Sequence, residues 1–314
     1  MIHGFGASGS VFYKMVKHLM SEFRVTTIDL LGMGCSGRPP FALDTAAESI
    51  DYFLLSIEAW MQTAAYKTEE YVLLGHSLGG YLSANFAIRY PQKLAKLLLV
   101  SAVGIQPKPE TFSVENIAQK QTATRAFMIR RAGGMWESHY SPFSVLRGMG
   151  WYAANKLLTG YVNRRLLLDS EQEKEAFKNL LVQITMRDKS SEVAITTILE
   201  FGAWARHPMR DRIKEISVPI CFLYGDVDWM NRSVADGCVE RGEVLPGSFV
   251  ATVEQAGHHL YVDNALGVVG NILKFVFNEA KQSEFLSETN YREKIEKRVP
   301  DPNVVHPGMG EVKK

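Results

Sequence analysis

Six residues, Gly75-His76-Ser77-Leu78-Gly79-Gly80, constrain the fold of this chain more than any other stretch. Before them, Tyr71-Val72-Leu73-Leu74 is a short apolar run of strand type. After them, Tyr81 to Tyr90 carries apolar residues three and four apart and is closed by Pro91, a helix stop. A strand that becomes a helix within so few residues has to turn sharply at Ser77, and small residues on either side permit the turn. This is the pattern of a nucleophile elbow: a serine hydroxyl exposed at the apex, with the amides of the following helix aimed at the same point.

The rest of the chain supplies a sheet for that turn to belong to. Val11 to Phe23 has the spacing of an amphipathic helix and Val25 to Leu30 that of a strand, followed by a glycine- and proline-broken loop over 31–40. Ala46 to Ala65 reads as a helix with Ile50, Phe53, Leu54, Ile57 and Trp60 on one stripe. Leu97 to Ser101 is a continuous apolar run, as expected of a parallel strand buried on both faces. After Gly104 this alternation stops. Residues 105–215 are rich in Met, Trp, Tyr and Arg, with helical stretches near 114–131, 144–158, 171–187 and 190–205. The alternation resumes with a strand over 218–225, a helix over 234–240, a strand over 248–253 and a helix over 264–280. The predicted fold class is α/β, a parallel sheet with a helical lid. Residues 1–104 and 216–280 form its core, 105–215 the lid insertion and 281–314 a polar C-terminal tail, read as a surface helix followed by a disordered segment.

Composition narrows the functional classes. A net charge of +1 over 314 residues gives no electrostatic footprint for nucleic acid. Cys35, Cys221 and Cys238 lack metal-ligand spacing and read as reduced residues of a cytoplasmic protein. No apolar run approaches the roughly 20 residues that span a bilayer.

A serine hydroxyl needs a base, and the base needs an orienting acid. On a parallel sheet these follow the serine at later strand ends, acid first and histidine second. Asp226 and Asp228 compete after the 218–225 strand. Asp228 is preferred because the chain has by then turned over the carboxyl edge of the sheet. His258 and His259 compete after the 248–253 strand, and His258, directly after Gly257, is preferred. The oxyanion donors are expected to be the Leu78 amide and the Phe5 amide of the loop His3-Gly4-Phe5-Gly6, with His3 orienting that loop by a hydrogen bond. The set requires neither a metal nor an organic cofactor. Arg147, Arg206 and Arg210 are the lid residues selected as candidates for gripping a substrate phosphate.

Taken in order, HGFG, DLLGMGCSGRP, GHSLGG, YGDVD and GHH resemble the α/β-hydrolase superfamily, and the resemblance runs from His3 to Ala280. Ser56 to Trp60, Trp204-Ala205-Arg206-His207-Pro208-Met209 and Gly257 to Asn264 are similar to a phospholipid-metabolising branch. That branch holds the N-acyl-phosphatidylethanolamine lipase, the lysophosphatidic-acid acyltransferase-like lipase coactivator and the yeast cardiolipin-specific phospholipase. The resemblance implies a serine hydrolase acting on the acyl ester or N-acyl amide of a phospholipid or lysophospholipid. It leaves two alternatives, an acyl-CoA-dependent lysophosphatidic acid acyltransferase and a non-catalytic adaptor that activates another lipase. It also implies a lid that covers the Ser77 site with an apolar wall and makes peripheral contact with membranes or lipid droplets. The coactivator has asparagine where this chain has Ser77, which favours a catalytic protein. The branch's His-x4-Asp pattern is matched by His258 and Asp263, but Asp263 stands where the N-cap of the last helix is expected.

In this superfamily the strand that ends at HGFG lies inside the sheet, between the strands here at 25–30 and 71–74. Met1 and Ile2 alone precede His3, whereas a strand needs about five residues. The chain is therefore expected to be N-terminally truncated, with the first strands missing and very short pairing at that place in the sheet.

Overall fold

A computed structural model of the chain describes residues 1–63 and 70–297. Its centre is a four-stranded parallel sheet in the order β1 (Tyr71–His76), β2 (Leu94–Val100), β5 (Ile220–Gly225), β6 (Phe249–Val253). A 3-10 turn, Gly9–Phe12, leads into α1 (Tyr13–Leu19), and α2 (Ala46–Met61) starts at Thr45, whose side chain accepts from the Glu48 amide. Then come β1 (Tyr71–His76), α3 (Leu78–Arg89) and β2 (Leu94–Val100). Alternate residues of the strands feed two cores. Leu73, Leu97, Leu99, Ile220 and Phe222 pack against Phe53 and Ile57 of α2 and Leu82 and Phe86 of α3. Leu74, Leu98, Val100, Cys221 and Leu223 face the opposite layer, with Met15 and Ile272. Each such side chain contributes about 1.5–3 kcal/mol on full burial, so the strands are held from both faces.

Between β2 and the next strand of the sheet the chain forms α4 (Val114–Gln119), α5 (Ala123–Glu137), α6 (Pro142–Met149), α7 (Trp151–Arg165), α8 (Glu171–Thr185) and α9 (Ile195–Ile198). A small hairpin, β3 (Leu199–Glu200) and β4 (Trp204–Ala205), closes the segment. The helix expected near 144–158 is two helices, because Gly150 sits at φ 81 and turns the chain between them. The helix expected near 190–205 gives way to the hairpin, whose turn places Gly202 and Ala203 at φ 93 and 67. The segment is fastened to the sheet domain by the Tyr81 hydroxyl, which donates to the His207 carbonyl (2.6 Å), and by the Met209 amide, which donates to the Gly104 carbonyl (2.7 Å). Beyond it lie β5 (Ile220–Gly225), α10 (Ser233–Glu240), β6 (Phe249–Val253), α11 (Leu260–Asp263) and α12 (Ala265–Val276), then α13 (Glu279–Glu288) and α14 (Tyr291–Glu296). The disordered segment expected at the end falls on residues 298–314, outside those described.

One expected strand is corrected. Residues 25–30 form no ladder, only an isolated bridge between Ile2 and Ile28. A ladder needs successive partners, and the backbone alongside is Met1-Ile2. Ile28 N–H donates to Met1 C=O (3.2 Å), while Ile2 N–H donates to Leu74 C=O (2.8 Å) and Ile2 C=O accepts from His76 N–H (3.0 Å). Ile2 thus pairs on both sides, one residue deep. Beside it opens a mainly apolar cavity of about 340 Å³, lined by Phe23, Val25, Trp60, Leu73 and Ile272 among others.

Ile2 is fully buried and joins the 24–28 segment to β1. Ile2→Ala enlarges an existing cavity, so it should lower the unfolding free energy by about 2–5 kcal/mol in urea titration. A loss below about 1 kcal/mol would show that the single-residue pairing bears little of the stability.

Candidate active site

Ser77 links β1 to α3 and adopts φ 52, ψ −117, a conformation disfavoured for a residue with a side chain. Its amide donates to the Val100 carbonyl (3.0 Å) on β2, and its own carbonyl accepts from the amides of Tyr81 (3.1 Å) and Val103 (3.3 Å). These bonds fix the turn from both sides and leave the hydroxyl to meet the loop after β6.

His258 on that loop places Nε2 3.1 Å from Ser77 Oγ and Nδ1 3.2 Å from Asp228 Oδ1. With the carboxylate accepting at Nδ1, Nε2 is the nitrogen free to take the serine proton. The Asp228 side chain is wholly buried, with Oδ1 also accepting from the Met230 amide (3.1 Å) and Oδ2 from the Ser101 hydroxyl. Burial alone would raise its pKa, but the bonds and charge of His258, Ser101 and the Met230 amide hold it below the usual carboxylate range. Asp226 is occupied elsewhere: its two oxygens accept from the amides of Gln255 (2.9 Å) and Ala256 (2.9 Å), latching the loop that carries His258. His259 turns away from Ser77, with Nε2 against the Tyr161 hydroxyl and Nδ1 3.0 Å from the Tyr261 hydroxyl.

The His3-Gly4-Phe5-Gly6 loop lies directly on the elbow. A Cβ on Gly4 would come within 2.8 Å of His76 Nδ1 and 2.9 Å of Ser77 Cβ, so only glycine allows the approach. His3 Nε2 accepts from the Leu30 amide (3.1 Å), which leaves the proton on Nδ1, donated to the Gly4 carbonyl (2.7 Å). Among the described residues the Phe5 amide meets no protein acceptor. Leu78 is the first residue of α3, where a helix amide has no intrahelical partner.

His76 was visible in the sequence only as part of the hexapeptide. Its fully buried ring donates from Nε2 to the His258 carbonyl (2.9 Å) and lies 4.8 Å from the His258 ring. Burial, then the neighbouring His258 and His259, push its pKa well below the ordinary histidine value, so it is neutral. Ser101, also missed, has φ 44 at the carboxyl end of β2. Its place at a strand end beside the elbow was the available signal.

Asp263 does not cap the last helix. The short turn of α11 shifts the cap by one residue to Asn264, whose side chain accepts from the Gly267 amide. The buried Asp263 carboxylate instead accepts from the amides of Gly257 (2.9 Å) and Leu167 (3.0 Å). The three selected arginines all have carboxylate partners: Arg147 with the buried Glu192, Arg206 with Glu137 (3.2 Å) and Arg210 with Glu243 (2.8 Å). A phosphate at any of them competes with that carboxylate. Among the described residues no group of three or more His, Cys, Asp or Glu is placed to hold a metal ion.

The family described as the alpha/beta hydrolase fold matches residues 1–265. A 1-acylglycerol-3-phosphate O-acyltransferase of Arabidopsis thaliana is 32% identical over 301 residues, covering 91% of this chain and 69% of that protein. A probable enzyme of the same name in Oryza sativa is 32% identical, covering 85% of this chain and 64% of that protein. The chain therefore spans about two thirds of these plant relatives. A (lyso)-N-acylphosphatidylethanolamine lipase of Mus musculus is 30% identical over 267 residues, covering 84% and 74%. Among solved structures, a thermophilic esterase from Thermogutta terrifontis superposes with TM-score 0.60 at 18% identity, covering 88% of this chain and 87% of that one. A bacterial membrane phospholipase A does so with TM-score 0.59 at 21% identity, covering 88% and 76%. At these identities the structures speak for the fold alone.

The neutral burial of His76 has a pH signature. Its folded pKa is depressed, so below about pH 6.5 the unfolded chain takes up a proton that the folded chain refuses. Stability contributed by this group is present above that pH and falls as pH drops, at up to about 1.4 kcal/mol per pH unit. Urea titrations from pH 7 to pH 5 should show His76→Gln with a shallower slope than the unsubstituted chain. Equal slopes would place the pH dependence elsewhere.

Proposed function

The chain belongs to the α/β-hydrolase family, and from that premise we propose that it is a serine hydrolase that releases the acyl chain of a phospholipid or lysophospholipid through an acyl-enzyme. The observation that carries this reading is the continuous path from Ser77 Oγ through His258 to the buried Asp228, at 3.1 and 3.2 Å. Its homologues include phospholipid-metabolising enzymes, among them a lipase named for N-acylphosphatidylethanolamine, which supports the substrate class.

In this mechanism Ser77 Oγ attacks the acyl carbonyl carbon while its proton passes to His258 Nε2. Asp228 holds the ring in the reactive tautomer and stabilises the imidazolium. The carbonyl oxygen, now negative, accepts from the amides of Phe5 and Leu78. Each such donor lowers the barrier by about 3 kcal/mol. Collapse expels the lysolipid or glycerol oxygen, which takes the proton from His258. Water, deprotonated by His258, then attacks the acyl-enzyme, releases the fatty acid and regenerates Ser77.

A second reading, acyl transfer, shares every step up to the acyl-enzyme and differs in its relief by an acceptor hydroxyl. The names of the plant relatives, 1-acylglycerol-3-phosphate O-acyltransferases, favour it. The adaptor reading has no acyl-enzyme at all. Labelling by a fluorophosphonate probe, lost in Ser77→Ala, separates the enzymes from the adaptor. Products analysed by mass spectrometry with and without acyl-CoA separate hydrolysis from transfer. Ser77→Ala and His258→Ala should each lower kcat by about a thousandfold or more, and Asp228→Asn should be comparably severe. If Asp226→Asn is the harmful change and Asp228→Asn is not, the acid is misassigned.

Residues 105–215 act in this reading as a lid that rests on lipid. No helix among the described residues is long and apolar enough to cross a membrane. The α6–α7 corner nevertheless exposes Met149, Trp151 (59%) and Tyr152 (78%). Residues 123–165 also carry Arg125, Arg131 and Lys156 among other bases, against the single acid Glu137. Aromatic side chains beside cationic ones suit the interface of an anionic bilayer. A Trp151→Ala/Tyr152→Ala variant should sediment at least about fivefold less with phosphatidylserine-containing vesicles. Unchanged sedimentation would remove the corner from the contact.

A further inference from the structure

We infer that Phe143 is a positioning residue: its ring clamps the His3–Gly6 loop, so that the Phe5 amide is aimed at the oxyanion only while helix α6 is docked on the loop. The catalytic consequence rests on the serine-hydrolase reading above, whereas the clamp rests on packing alone.

The loop needs such a clamp. Gly4 and Gly6 flank Phe5, and glycine restrains the backbone less than any other residue. The Phe5 amide has no protein acceptor among the described residues to hold its direction. One side of the loop is fixed by Gly4 pressing on Ser77 and His76. The other side is fixed from α6. The Phe143 ring, 9% exposed, lies 5.0 Å from the Phe5 ring, centroid to centroid, at 41°. The same ring covers Gly6, which sits at φ 76, so that a Cβ there would come within 3.3 Å of Phe143 Cζ. The loop is therefore gripped between the elbow and one side chain more than 130 positions away in the sequence.

Phe143 is itself held firmly. Ser141 caps α6 by accepting from the Ser144 amide (3.1 Å). One turn further on, Arg147 donates to the Thr185 carbonyl (3.2 Å) and pairs with the buried Glu192. Helix α6 thus joins the exposed Met149–Trp151 corner at one end to the oxyanion loop at the other. A shift of the helix would be felt first at Phe5, while Ser77, His258 and Asp228 are set by the sheet and by their own loops.

The test uses the full chain with Phe143→Ala, Phe143→Leu and Phe5→Leu. Two quantities are measured: backbone hydrogen exchange in a peptide covering residues 3–10, and kcat and KM on a soluble p-nitrophenyl ester. Phe143→Ala should speed exchange in that peptide about tenfold or more without changing β1 and β2. It should lower kcat about 10- to 100-fold with KM within about threefold, the pattern of an interaction made in the transition state. Phe143→Leu should recover most of both effects. If Phe143→Ala does not fold, Phe5→Leu and the Phe5→Leu/Phe143→Leu double variant take its place. The double variant should be no worse than the more impaired single one, because the two rings act through each other. Unchanged exchange in the loop overturns the clamp. If the unsubstituted chain shows no Ser77-dependent turnover, the hydrolase reading fails, and the exchange measurement alone decides the clamp.

Discussion

The backbone of Ser77 is the constraint around which the other elements are arranged. A non-glycine residue at φ 52, ψ −117 costs on the order of 1–3 kcal/mol and persists only where its surroundings enforce it. Here the enforcement is a set of three backbone hydrogen bonds, from Ser77 N–H to Val100 and to Ser77 C=O from Tyr81 and Val103. Two of the three partners lie on or just beyond β2. The register of β1 on β2, His76 opposite Val100, is therefore what holds the serine in this turn.

Because β1, β2, β5 and β6 all run parallel, their carboxyl ends meet along one edge, and the polar side chains of the site gather there from distant parts of the sequence. Ser77 follows β1, Ser101 follows β2, Asp228 follows β5 and His258 follows β6. The electrostatics are divided among them. Asp228 is buried yet charged, because three donors replace the water it lost. His76 is buried and neutral, 4.8 Å from the His258 ring. A second positive charge at that separation would oppose an imidazolium on His258 by about 3 kcal/mol at an effective dielectric near 20. Neutral His76 places no such charge beside the His258 ring.

Much of this was legible in the sequence, because it is written in local patterns. The strand–turn–helix around Ser77 and the apolar runs of β2 and β5 are each readable within about twenty residues, and the acid and histidine are found at the ends of the strands that precede them. What was not legible depends on partners far away. Residues 25–30 have the composition of a strand, but whether a ladder forms depends on what lies beside them. Asp263 looks like a cap until the extra turn of α11 is seen. Arg147, Arg206 and Arg210 are indistinguishable in sequence, although one is paired with a buried carboxylate and two with more exposed ones. Phe143 carries no local mark at all, since its significance lies in the ring it meets.

The bond between Asp263 and Leu167 reaches from the histidine loop to the root of the helical segment, yet it reads nothing of residue 167 beyond its N–H. Proline is the one residue that cannot make this bond, because it has no N–H. A substitution at position 167 other than proline therefore leaves the donor of this attachment to the histidine loop in place. The joint is thus written in the backbone of the helical segment rather than in its side chains.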